Sequence, residues 1–203
     1  MVNGDLFIIS APSGAGKTSL IFALLDLIPN LYVSVSNTTR SMREGEINGV
    51  NYNFVTRDHF QKLIDDGQML EYAEVFGNYY GTPEHQIKQH LEQGTDVILE
   101  IDWQGASQVR KLMPQARSIF ILPPSKEVLR ERLIKRATDN SATIEKRLHK
   151  AKEEMSHYLE YDYVIINDDF KRASHELAAI FTATRLNVQK QQKNTNFLTN
   201  LFS

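Results

Sequence analysis

Near its start the chain runs Leu6-Phe7-Ile8-Ile9-Ser10, then Ala11-Pro12-Ser13-Gly14-Ala15-Gly16-Lys17-Thr18, then Ser19-Leu20-Ile21. An unbroken apolar pentad suits a strand buried on both faces. After the glycines, Leu20, Leu24, Leu27 and Ile28 return at helical spacing until Pro29 stops them. A buried strand, a glycine-bearing turn and a helix that opens on Lys-Thr leave few folds open. Backbone N–H groups of such a turn converge on phosphate oxygens at the positive end of the helix. Lys17 is expected to reach the β- and γ-phosphates of a nucleoside triphosphate, and the Thr18 hydroxyl to help hold Mg²⁺. The motif asks for glycine at its first position, where this chain has Ala11. That position lies at the strand exit, so a negative φ is expected and the added methyl costs little. The plain alternative, a glycine-rich turn with a surface lysine, gives no reason for both flanks to fit.

Three later runs resemble the first: Val97 to Ile101, Ile119 to Leu122, and Tyr163 to Ile166. Helical segments lie between them. Thr82-Pro83-Glu84 reads as a helix start, with a capping hydroxyl and proline at the first helical position, and Gly94 as its end. Leu129 and Leu133 mark a helix after Pro124-Ser125, and Ile144, Leu148, Ala151, Met155 and Leu159 mark another. Buried strands alternating with helices predict an α/β fold, a parallel sheet covered on both sides. Ser34 to Gly81 breaks this rhythm with β-like alternation in "VNYNFV", a short helix near Asp58 to Asp66, and clusters of glycine and charge. It reads as a small β-rich insertion, and the polar stretch Arg136 to Thr143 as a second mobile piece.

At 203 residues the chain suits one compact domain, and 41% hydrophobic residues suffice for a core. A net charge of −2 gives no general attraction to nucleic acid or to an anionic membrane. Cysteine is absent, which excludes disulfides and thiolate chemistry. No apolar run approaches the ~20 residues of a membrane span, and "MVNGDLFIIS" lacks the pattern of a secretory signal. A soluble, cytosolic protein is expected. None of the six histidines pairs at a zinc-like spacing; His85 and His90 stand five apart and read as surface residues. The tail from Gln189 to Asn196 is polar, but Phe197, Leu198, Leu201 and Phe202 beyond it permit a self-association surface.

What accepts the phosphate is written elsewhere. In "SVSNTTRSMREGEINGVNYNFV", Arg40 and Arg43 stand three apart beside hydroxyls, with Tyr52 downstream. Two guanidinium forks and a phenol grip a phosphate dianion well. "SVSNTTR", "GNYYGT", "EIDWQG", "FILPPS" and "YDYVIINDD" follow the phosphate loop in order, and together the chain resembles guanylate kinase over nearly its whole length. The resemblance implies a P-loop parallel-sheet core, a β-rich GMP-binding insertion and a helical lid. The corresponding bounds are 1–33, 83–124 and 149–203 for the core, 34–82 for the insertion and 125–148 for the lid.

The resemblance also implies transfer of the γ-phosphoryl of ATP to GMP, and to dGMP, with Mg²⁺ as cofactor. Arg40, Arg43, Tyr52 and Tyr80 are then expected to hold the GMP phosphate. Ser36, Glu71 and Thr82 read the guanine, with Asp102 nearby. ATP falls to Ala11 through Thr18, with Asn167 near the adenine. Lys17, Arg40, Arg132, Arg136 and Arg147 carry the catalytic charge, and Glu100 meets Mg²⁺ through water. Guanine presents N1–H and N2–H₂ as adjacent donors, which one carboxylate accepts together, so Glu71 suits it independently; adenine would face that carboxylate with a lone pair. Two departures stand out: Glu100 where the family more often has aspartate, and Ala137 where it usually has glycine. Taken alone, "LRERLIKRA" reads equally as an exposed charged helix. The rival readings are a kinase for another nucleoside monophosphate, and a guanylate-kinase-like interaction module that has lost catalysis. The second should show damage to the phosphate loop or the arginines, and Lys17, Thr18, Arg40, Arg43, Arg136 and Arg147 are all present.

Overall fold

A computed structural model describes residues 3–135, 141–193 and 201. In chain order the elements begin with β1 (Leu6–Ser10), α1 (Lys17–Leu27), β2 (Leu31–Val33), β3 (Asn37–Thr38), β4 (Asn53–Phe54) and α2 (Arg57–Asp65). Next come β5 (Met69–Val75), β6 (Asn78–Pro83), α3 (Glu84–Glu92), β7 (Asp96–Glu100), α4 (Trp103–Leu112) and β8 (Arg117–Leu122). The chain continues through α5 (Lys126–Lys135), α6 (Ser141–Ser156), a 3-10 turn (His157–Glu160), β9 (Tyr163–Ile166), α7 (Phe170–Arg185) and α8 (Val188–Lys193).

Five strands form one parallel sheet in the order β2-β7-β1-β8-β9. β1 lies at its centre, and its alternate side chains feed two separate cores. Phe7 and Ile9 join Leu20 and Leu24 of α1 and Leu177 and Phe181 of α7, with the Phe7 and Phe181 rings stacked at 3.7 Å. Leu6 and Ile8 join Ile87 of α3, Val109 of α4 and Tyr161 on the opposite face. Two-sided burial is why this strand reads as an unbroken apolar run, with no alternation visible in the sequence. Both faces of the sheet are helix-covered, the α/β class expected.

The insertion forms its own mixed sheet in the order β4-β3-β6-β5, with β3 and β4 parallel and the other pairs antiparallel. α2 is capped by the Thr56 hydroxyl, which accepts from the His59 amide, and Phe60 is its buried anchor. α5 and α6 pack against each other through Leu129, Leu133, Leu148, Ala151 and Met155.

Four local expectations need correction. Thr82 does not cap α3: Pro83 is the capping residue, no side chain bonds the first turn, and the Thr82 hydroxyl points elsewhere. β9 is an edge strand with Tyr163, Val164 and Ile166 exposed, so its resemblance to β1 in sequence is not matched by two-sided burial. β2 carries only three half-buried residues, too short to show a period, and was not expected as a strand. Leu159 lies beyond α6 and is exposed. Arg136 and Ala137, with residues 138–140, lie outside the described residues, as do 194–200 and the last two positions.

Candidate nucleotide site

The turn after β1 closes with the Ala15 amide donating to the Pro12 carbonyl at 3.1 Å, and α1 starts after Gly16. Gly14 and Gly16 have φ of 90° and 94°, a region where a side chain is strained. Ala11 is not among the positive-φ residues, so its methyl sits on ordinary backbone. Gly16 is further constrained from outside, since a Cβ there would lie 2.4 Å from Asn167 Nδ2. That amide donates to the Ala15 carbonyl at 2.7 Å. Arg132 donates to the same carbonyl at 3.3 Å and to the Asn167 carbonyl at 3.0 Å. One residue after β9 and one on α5 thus brace the loop from behind, and Leu129 and Leu133 close over Gly14.

At the front of the loop, the Thr18 hydroxyl donates to Glu100 Oε1 at 2.7 Å, and Lys17 Nζ lies 3.8 Å from the same oxygen. Parallel pairing sets Ile9 opposite Glu100, so the end of β7 and the loop after β1 meet at the carboxyl edge of the sheet, where open α/β sheets bind ligands. Glu154 of α6 also faces this loop. Burial raises its pKa and the Asp102 charge adds to the rise, while Lys150, the Ser13 amide and Lys17 oppose it. It was missed in the sequence because a glutamate in "KAKEEMSH" reads as solvated helix.

The second half of the site lies between the two sheets. Glu71 on β5 is only 4% exposed. Its Oε1 accepts from the Thr82 hydroxyl at 2.5 Å, and Thr82 Oγ1 lies 3.1 Å from Ser36 Oγ. Strand pairing of Glu71 with Thr82 across β5 and β6 makes the first contact automatic. Burial pushes the Glu71 carboxyl up to about 7, and the Asp102 charge adds to the rise against the Thr82 hydrogen bonds. Asp102 caps α4, accepting from the Gly105 amide at 3.0 Å. Gly105 was another residue missed: a Cβ there would stand 2.2 Å from Glu71 Oε2.

Farther along the insertion, Arg40 binds Glu46 through two parallel hydrogen bonds of 2.9 and 2.7 Å. Its guanidinium also lies 5.5 Å from the ring centres of Tyr52 and Phe54. Tyr52 meets Tyr80 edge-on at 5.8 Å, and burial pushes its phenol up to about 12. Arg43 stands on the same loop, tied through its backbone amide to Glu46 at 2.7 Å. Arg147 lies on α6, half-buried; Arg136 is outside the described residues. The structure therefore groups Lys17, Thr18 and Glu100 with Asn167 and Arg132 around the loop. Ser36, Glu71 and Thr82 form a second group beside Asp102, and Arg40, Tyr52 and Tyr80 a third.

Comparison with known proteins points the same way. A family model described as guanylate kinase matches residues 3–184. A guanylate kinase of Pseudomonas fluorescens (strain Pf0-1) is 60% identical over 189 residues, covering 93% of this chain and 92% of the relative. One from Vibrio cholerae is 59% identical over 193 residues, covering 94% and 93% respectively. A crystal structure of guanylate kinase from Anaplasma phagocytophilum aligns with a TM-score of 0.77 at 36% identity, over 93% of this chain and 89% of that one. The strand-loop-helix turn and the buried Glu71 carboxylate are thus set in a chain that belongs to the guanylate kinase family.

Proposed function

We propose that the chain transfers the γ-phosphoryl of ATP to GMP, giving ADP and GDP, with dGMP as a second acceptor. The observation that carries the assignment to a guanine nucleotide is the buried Glu71 carboxylate with Thr82 and Ser36 beside it. Guanine N1–H and N2–H₂ donate to Glu71, and the two hydroxyls serve the O6 acceptor. Arg40, Arg43, Tyr52 and Tyr80 hold the acceptor phosphate, with Asp102 near the base. The loop amides from Ala11 to Thr18 hold the triphosphate. Asn167 lies near the adenine while its amide braces Ala15.

Transfer between two phosphates needs positioning and charge neutralisation more than covalent help. An acceptor phosphate oxygen is already a competent nucleophile. Lys17, Arg132, Arg136 and Arg147 neutralise charge on the donor as the bond to ADP breaks, and Arg40 keeps the acceptor in line. Thr18 and Glu100 offer hydroxyl and carboxylate oxygens 2.7 Å apart beside the loop. Hard oxygen donors of this kind fit Mg²⁺, which keeps most of its shell as water and phosphate. When bound it supplies further neutralisation of the β- and γ-oxygens. The longer Glu100 side chain reaches Thr18 directly, so the departure from aspartate leaves the pair intact.

Core segments 1–33, 83–124 and 149–203, the acceptor-binding insertion 34–82 and the lid 125–148 are the units we assign to these roles. No described helix is long and apolar enough to cross a membrane, and a cytosolic location fits a substrate set of free nucleotides. Self-association through the apolar end of the tail is part of this reading and is tested by truncation after Lys193 with light scattering. A coupled assay of ADP release with GMP, dGMP, AMP, UMP and TMP offered in turn tests the whole. Turnover with GMP and dGMP alone is expected. Equal turnover with AMP would reject the guanine assignment, and none with any acceptor would favour the interaction-module reading.

A further inference from the structure

We infer that Glu46 is a positioning residue for the acceptor phosphate: it clamps one edge of Arg40 so that the other edge faces the substrate. This rests on the reading of Arg40 as a phosphate ligand. Glu46 stands in the exposed loop after β3, yet the Arg40–Glu46 pair is largely buried, with side-chain exposures of 12% and 18%. Three hydrogen bonds end on this carboxylate. Oε1 accepts from Arg40 Nη2 at 2.7 Å, and Oε2 accepts from Arg40 Nη1 at 2.9 Å and from the Arg43 amide at 2.7 Å. The Glu46 amide returns a bond to the Arg43 carbonyl at 3.2 Å, and Gly45 makes the turn possible at φ 81°. One carboxylate thus fixes the guanidinium of the first arginine and the backbone of the second.

The donor inventory of Arg40 then decides what remains. A guanidinium has five N–H groups. Two go to Glu46, and the second hydrogen of Nη1 goes to the Ser41 carbonyl at 2.7 Å. The Nε–H and the outer Nη2–H remain, side by side on one edge, and the Tyr80 phenol, which hydrogen-bonds this guanidinium, shares that edge. Two parallel donors on one edge match two phosphate oxygens. The guanidinium carbon lies over the Tyr52 and Phe54 rings, 5.5 Å from each centre, and Tyr80, itself assigned to the phosphate, also interacts with this guanidinium. A flexible arginine is thereby ordered before substrate arrives, which removes an ordering cost from binding.

The same arrangement contains an opposing effect. A carboxylate beside a phosphate site repels a dianion, so Glu46 either orients Arg40 at some electrostatic cost or merely fills its fork until substrate displaces it. The two roles give opposite signs. If Glu46 orients, Glu46→Ala raises KM for GMP by about tenfold or more, leaves KM for ATP unchanged, and lowers kcat less than kcat/KM. Glu46→Gln, which keeps one acceptor oxygen and loses the charge, gives a smaller rise. If Glu46 is a place-holder, both substitutions lower KM for GMP.

The experiment is a double-mutant cycle of Arg40→Ala and Glu46→Ala, with Glu46→Gln alongside, read by KM for GMP, KM for ATP and kcat. Thermal unfolding establishes that each variant is folded, and Glu46→Gln carries the test if Glu46→Ala is not. The expected result is a rise in KM for GMP with Glu46→Ala that vanishes in the Arg40→Ala background. A fall in KM for GMP, no change, or an equal rise in both backgrounds overturns the inference. An Arg40→Ala variant with unaltered KM for GMP overturns the phosphate-site reading itself, a failure that shows before Glu46 is changed at all.

Discussion

Replacing Glu71 by glutamine should make the ligand-free protein more stable and the enzyme worse. The Glu71 carboxyl is displaced upward from 4.5 to about 7 by burial, with Asp102 adding to it. An acid whose pKa is higher folded than unfolded binds extra protons on folding between the two values, so stability falls as pH rises through that window. The cost is absent below about pH 4.5 and complete above about pH 7. At ~1.36 kcal/mol per pKa unit, a rise of that size corresponds to about 3 kcal/mol. Glutamine fills nearly the same volume, retains an oxygen for the Thr82 hydroxyl, and carries no charge. Glu71→Gln should therefore gain about 1–3 kcal/mol at pH 8 and little at pH 5, the lower figure allowing for imperfect amide placement. Urea denaturation of the ligand-free wild type and variant at both pH values measures this directly. In the same variant, KM for GMP should rise by ~10² or more, because the amide offers a donor where guanine also donates, while KM for ATP holds. An equal stability difference at pH 5 and pH 8, or a variant less stable at pH 8, would refute the reasoning that the buried charge is costly.

Three further substitutions probe the surroundings. Gly105→Ala puts a methyl 2.2 Å from Glu71 Oε2, so Glu71 must shift; a rise in KM for GMP of about tenfold and a stability loss of ~1–3 kcal/mol are expected from steady-state kinetics and denaturation. Asn167→Ala removes the donor to the Ala15 carbonyl and leaves that group to Arg132 alone. It should cost ~1 kcal/mol of stability and raise KM for ATP without moving KM for GMP. Lys17→Met keeps the aliphatic stem and deletes the ammonium, so kcat should fall by ~10² or more while equilibrium binding of GMP, followed by calorimetry, stays within about twofold.

How much of this was legible beforehand depended on whether a residue's role is local. The loop from Ala11 to Thr18 is readable because strand, turn and helix signals are contiguous, and the same holds for the apolar runs of β1, β7 and β8. β2 escaped notice because three residues show no period, and β9 misled because an edge strand can be as apolar in sequence as a central one. Thr82 illustrates competition between levels. Followed by Pro-Glu it has the local look of a helix cap, but cross-strand pairing places its hydroxyl on Glu71, and a hydrogen bond to a buried carboxylate outweighs one to a solvated helix end. Gly105 and Glu154 were invisible because only folding brings Gly105 against Glu71 and Glu154 against the phosphate loop. Glu46 was invisible for a local reason: a glutamate six residues after Arg40 reads as ordinary loop charge.

Those long-range contacts also explain why the ligand-free cleft carries unfavourable charge. Asp102 raises the pKa of Glu71 on one side and of Glu154 on the other. Three carboxylates thus converge between the acceptor and donor halves, two of them substantially buried. Apolar packing cannot relieve this, and the hydroxyls of Thr82 and Ser36 relieve it only in part. On the proposed assignment, a ligand edge rich in hydrogen-bond donors relieves it at Glu71, while Lys150 and Lys17 already offset part of it at Glu154. With Glu71 in the proposed role, such a site discriminates by leaving a charge unanswered: adenine presents a lone pair where guanine presents N1–H. On the proposed role of Glu71, selectivity for a 6-oxopurine and the loss of ligand-free stability expected as pH rises toward 7 share one electrostatic cause, so a substitution that gains stability by neutralising Glu71 is expected also to widen the choice of acceptor.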